Sequence, residues 1–106
     1  MKEVVITKEN FQKEVLLYKD TPVMLDFWAM WCSPCMKMGP IIEVIADQYA
    51  DKVKVGKVNV DEQPELASAF RVESIPMLVI LKEGKIIKQS IGLRNVEDII
   101  ALFSDV

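Results

Sequence analysis

The sequence predicts an α/β domain in which a mixed β-sheet carries helices on both faces. Three observations lead there. Strand-length apolar runs alternate along the chain with stretches of helical periodicity. The run Val23–Trp28 is nearly continuous in apolar residues, as a central strand covered on both sides requires. The last two strand-like runs are separated only by Lys82, Glu83 and Gly84, a hairpin linker, so at least one strand pair is antiparallel.

Taken in order, residues 4–6 (Val-Val-Ile) form a short first strand. Thr7 opens a helical stretch in which Phe11, Val15 and Leu16 share a face. Pro22 bounds the central strand that follows. A long helix starts near Ser33 or Pro34 and carries Met38, Ile41, Ile42, Ile45, Ala46 and Tyr49 at helical spacing, with a kink expected at Pro40. Residues 53–60 form a strand, and residues 64–70 a short helix whose first turn accepts Pro64. Residues 77–81 and Lys85–Ile91 make the hairpin, with Gly84 as its turn residue. Asn95 caps a last helix with Val96, Ile99, Ile100 and Phe103 on one face. The expected order is therefore β-α-β-α-β-α-β-β-α.

A chain of 106 residues fits one domain, residues 1–106, with a core large enough to need neither metal nor several disulfides. With 51% apolar and 27% charged residues it has the composition of a soluble globular protein. A net charge of −3 and a pI near 4.9, with Lys and Arg scattered, exclude a nucleic-acid binder. The N-terminal stretch holds three adjacent apolar residues before charges resume, and no run approaches a membrane span. The expected address is the cytoplasm, where permanent structural disulfides are rare.

The two cysteines lie in Trp31-Cys32-Ser33-Pro34-Cys35, between the central strand and the long helix. As a structural staple this pair is weak, because so short a loop stabilises by only about 2 kcal/mol in the chain-entropy model. As a structural zinc site it is short of ligands, since the chain has two Cys and no His, and only Asp or Glu or a second chain could complete it. Two inert buried thiols remain an alternative, but Cys-x-x-Cys at a strand–helix junction is a redox signature. The first helical turn supplies a chemical reason. Its unpaired N–H groups and partial positive charge favour a thiolate at Cys32. Pro34 needs no donor there and stiffens the loop, and Ser33-Pro34 also suits a plain helix cap.

The segment from Phe27 to Cys35, with Pro40 downstream, resembles the active-site block of the thioredoxin family. Val23 to Asp26 matches the family strand that bears a buried acid. Lys57 to Asp61, Ile75-Pro76, Glu83-Gly84 and Ile91-Gly92 fall in family order, so the resemblance runs from about Val4 to Phe103. It implies a thioredoxin fold, a five-stranded mixed sheet flanked by four helices, with a cis peptide before Pro76 facing the disulfide. It further implies a protein-disulfide reductase in cell redox homeostasis, with Cys32 attacking and Cys35 resolving. No cofactor would be carried. Electrons would come from a flavin-dependent, NADPH-using thioredoxin reductase, and the partners would be disulfide-containing proteins met by a monomer.

A thiol of pKa about 8.5 is roughly 3% ionised at pH 7, and one near 7, the established figure for this family, is half ionised. Lower nucleophilicity cancels most of that gain and leaves a factor of about three. Positioning of a second thiol must therefore contribute more than acidity.

Other residues carry two readings each. Asp26, a lone charge in an apolar strand, is either an acid at a locally solvated edge or a buried acid. With the resemblance, the second reading is favoured: it accepts the Cys35 proton through water, with Lys57 as modulator. Trp28 packs beside the site, and Trp31 shields the sulfur and contacts substrate. Pro76 is a turn residue, or it presents the backbone of Ile75 to an extended substrate chain. Gly92 reads as a close backbone approach near the cleft. Met38 is a core filler, whereas Met30, Met36 and Met77 read as an adaptable apolar surface around the site. Against the common family pattern, Ser33 replaces Gly, Met36 replaces Lys, and Met77 replaces Thr, which bears on the redox potential and on the direction of electron flow. An oxidase or isomerase is the rival within this chemistry. A binding module with idle thiols is the rival outside it.

Overall fold

The computed structural model describes residues 2–106 and contains a five-stranded sheet in the order β1-β3-β2-β4-β5. The strands are β1 (Val4–Val5), β2 (Val23–Trp28), β3 (Lys54–Asn59), β4 (Met77–Lys82) and β5 (Lys85–Ile91). Helices α1 (Ser33–Gln48), α2 (Pro64–Ala69) and α3 (Val96–Phe103) join them, together with a π-helical turn at Gln12–Leu16. β1 and β2 both run parallel to β3, while β2–β4 and β4–β5 are antiparallel, so the sheet is mixed as expected.

β2 lies in the middle, and its side chains alternate between two apolar layers. Met24 faces a layer completed by Met38, Ile42 and Ile45 of α1 and by Ile99 and Phe103 of α3. Val23, Leu25 and Phe27 face the other layer, with Val15 of the π-helical turn and Leu66 of α2. Phe70 closes that second layer, its ring 5.2 Å from Phe27 and 5.8 Å from Phe11. The continuous hydrophobicity of β2 thus has its expected cause. α1 continues past Pro40 to Gln48, so the missing donor interrupts one bond without ending the helix.

The first helical stretch differs from expectation. Thr7 and Asn10 do make a reciprocal cap, Asn10 Oδ1 accepting from Thr7 N at 2.8 Å and Thr7 Oγ1 from Asn10 N at 3.2 Å. The segment then winds as a single wide turn, with Leu17 N donating to Gln12 O. That i-to-i+5 closure breaks the α-helical face: Val15 is buried, but Leu16 is exposed. Among the described residues no helix is long and apolar enough to cross a membrane.

Candidate functional site

The site is built where β2 ends and α1 begins. Cys32 occupies the N-cap of α1 in an extended conformation, and Ser33 and Pro34 fill the first turn. Cys35 N donates to Cys32 Sγ at 3.2 Å, the contact that an unsatisfied first-turn N–H is expected to make with sulfur. Cys32 and Cys35 are joined by a disulfide with their Cα atoms 5.2 Å apart. Both cysteines are buried, packed with Ala29 and flanked by Trp28, Val60 and Ile75. The Ile75–Pro76 peptide is cis, and the Ile75 carbonyl oxygen lies 3.8 Å from Cys32 Sγ.

Behind the disulfide is a cleft of about 410 Å³ that Cys35 and Lys57 both line. Register sets Asp26 of β2, buried beneath the cleft wall, beside Lys57 of β3, because neighbouring residues on paired strands share a face. Asp26 is 2% exposed, with Oδ2 3.1 Å from Lys57 Nζ and Oδ1 without a hydrogen-bond partner. Burial pushes the Asp26 carboxyl above its ordinary range, against a downward pull from the charge and hydrogen bond of Lys57. Lys57 Nζ also lies 4.9 Å from the centre of the Trp28 ring and 4.0 Å from Glu3 Oε2. The buried Asp26 carboxyl therefore holds a proton to higher pH than an exposed acid would.

Some expected site residues have other surroundings. Trp31 is 71% exposed and donates its indole N–H to Asp61 Oδ2 at 2.9 Å, while the partly buried Trp28, Val60 and Ile75 pack against the two cysteines. Met30 and Met36 are exposed, at 74% and 50%, and Met38 is in the core. Met77 is not part of that surface. It opens β4 opposite Phe27, and strand alternation turns it into the layer that holds Val79 and Leu81. Gly92 is likewise no close approach: a Cβ there would meet nothing within 4 Å. Its φ of +96° is the reason for glycine, and its N–H donates to Pro76 O at 2.8 Å. Two residues went unnoticed in the sequence. Val60 is an unremarkable strand-end residue, and Glu3 stands outside every motif, so only strand register brings it to Lys57.

The comparisons agree with this geometry. The family model for thioredoxin matches residues 2–105. A thioredoxin from Alicyclobacillus acidocaldarius subsp. acidocaldarius is 46% identical over 95% of this chain and 94% of its own length. A thioredoxin from Chlorobaculum thiosulfatiphilum is 48% identical over 81% of this chain and 79% of its own, and one from Rickettsia bellii is 43% identical over 90% of each. A Cys-x-x-Cys disulfide at a helix start and relatives matching most of both lengths leave one assignment. The chain belongs to the thioredoxin family and is a thiol–disulfide oxidoreductase.

Proposed function

We propose that the chain acts in the cytoplasm as a monomeric protein-disulfide reductase, one thioredoxin domain over residues 1–106, recycled by a flavin-dependent, NADPH-using thioredoxin reductase. The observation that carries this reading is the position of Cys32 Sγ as the cap of α1, accepting from Cys35 N at 3.2 Å. In the dithiol form that N–H and the helix dipole favour the Cys32 thiolate. The thiolate attacks one sulfur of a substrate disulfide; a mixed disulfide forms and one substrate thiolate leaves. Asp26 takes the Cys35 proton through water. Cys35 sulfur then attacks Cys32 sulfur, the mixed disulfide breaks, and the second substrate thiolate leaves. Two protein thiols have become a disulfide, and one substrate disulfide two thiols.

Speed in the second step comes from placement, because well-oriented intramolecular groups reach effective molarities of about 10⁵–10⁸ M. Lys57 modulates Asp26 through its charge. Trp31, Ser33, Pro34, Ile75, Pro76 and Gly92 form the substrate-facing surface, extended by the exposed Met30 and Met36. The Ile75 backbone would pair with an extended substrate chain.

The reduction potential of the Cys32–Cys35 pair, equilibrated against a reference dithiol, tests the direction. A value near about −270 mV, the established figure for thioredoxins, is expected of a reductase. A value of about −120 to −180 mV would assign the same chemistry to an oxidase or isomerase.

A further inference from the structure

Lys57 is placed between two carboxylates. Asp26 Oδ2 is 3.1 Å from its Nζ on one side, and Glu3 Oε2 is 4.0 Å away on the other. Register explains the convergence. Val5 of β1 is paired with Lys57 of β3, and Glu3 is two residues before Val5, so alternation sends Glu3 to the same face as Val5, Lys57 and Asp26. The Glu3 side chain is only 9% exposed, and Glu3, Lys57 and Cys35 line one cleft. Among the described residues that line it, Lys57 is the single Lys or Arg, and Glu43 of α1 adds a further acid. Asp47 of α1 also acts on Glu3, whereas β4 faces Asp26 with the apolar Leu78. One cation therefore serves two carboxylates, with further acids close to Glu3.

We propose that Glu3 is a positioning residue for the resolving step: it shares the Lys57 ammonium with Asp26, so that Lys57 stays charge-balanced when Asp26 accepts the Cys35 proton. The inference rests on the reading of Asp26 as that acceptor. Before transfer, both carboxylates draw on Lys57. After transfer, Cys35 is a thiolate, Asp26 is neutral, and Glu3 keeps a counter-charge on a lysine that is itself 18% exposed. Without Glu3 the whole ammonium charge would bear on Asp26, favour its ionised form and weaken it as a base. Burial also raises the proton affinity of Glu3, opposed by Lys57, while Glu43, Asp26 and Asp47 raise it further.

The test follows the Asp26 carboxyl carbon by NMR across a pH titration of the reduced, full-length protein. In Glu3→Gln the Asp26 midpoint should fall by about half to one pH unit, the size of a screened charge effect at this range. The acid limb of mixed-disulfide resolution should fall with it, and the plateau rate by roughly two- to threefold. Glu3→Asp should restore most of the parental midpoint, which a purely steric role would not predict. An unmoved or raised midpoint in Glu3→Gln, with Asp26→Asn still slow to resolve, overturns the part assigned to Glu3 alone. If Asp26→Asn resolves mixed disulfides at the parental rate, the reading of Asp26 fails and this inference goes with it.

Discussion

Lys54 and Lys57 stand three residues apart on β3 and so point to opposite faces of the sheet. Each pairs with a carboxylate and lies by an aromatic ring. Lys54 Nζ is 2.7 Å from Glu14 Oε1 and 4.0 Å from the centre of the Tyr18 ring. Lys57 Nζ is 3.1 Å from Asp26 and 4.9 Å from that of Trp28. The two lysine side chains are covered to a similar degree, 13% and 18% exposed. Their carboxylates respond in opposite directions. The hydrogen bond and charge of Lys54 hold Glu14 below the ordinary range, whereas burial drives Asp26 above it. The cation does not decide the outcome; the water left to the acid does. Glu14 sits on a turn that faces solvent, while one Asp26 oxygen has no hydrogen-bond partner at all. One pair is a brace, and the other is the proposed proton store.

Substitutions that treat the two pairs alike should separate them. The largest effect is expected from Asp26→Asn, which removes the proposed proton acceptor. Resolution of a mixed disulfide, followed by stopped-flow release of a chromophoric thiol, should slow by about 10²- to 10⁴-fold, with Glu14→Gln as an unaffected control. Equal rates in the two variants would erase the distinction.

Next comes Lys57→Met. Leaving a buried carboxylate without its cation costs about 3–5 kcal/mol while that carboxylate is ionised. The sign follows from the raised Asp26 value. Asp26 is protonated at low pH and ionises in the folded protein only above its ordinary range. The penalty should therefore be small in acid and grow as pH rises, as read by urea unfolding at several pH values.

Lys54→Met should do least, about 1 kcal/mol or below, because Glu14 keeps access to water. Its pH dependence should run the other way. Glu14 is held low, so the contribution of the pair is present above the usual carboxylate range and fades as pH falls. A pH-independent loss would assign the Lys54 effect to packing on Tyr18 instead.

Legibility in the sequence followed the range of the interactions. Cys32, Ser33, Pro34 and Cys35 could be read directly, because a helix start and a three-residue sulfur separation are local geometry. Asn95 is another local case: its side chain caps α3 by accepting from Asp98 N at 2.8 Å. The acid in β2 stood out against its apolar neighbours. Leu16, Met77 and Gly92 were misread because each depends on what surrounds it: a wide turn, a core layer, a backbone angle with no crowding. Glu3 carried no local signal whatever.

Periodicity, apolar content and spacing are properties of neighbouring residues, and they already specify the alternating layers, the hydrophobic central strand and the cysteine pair at a helix start. Tertiary structure alone decided which acid shares which cation. β1 must lie beside β3, and β3 beside β2, before Glu3, Lys57 and Asp26 meet. That pairing sets both the distances between the charges and the water they retain, and no stretch of chain encodes either quantity locally.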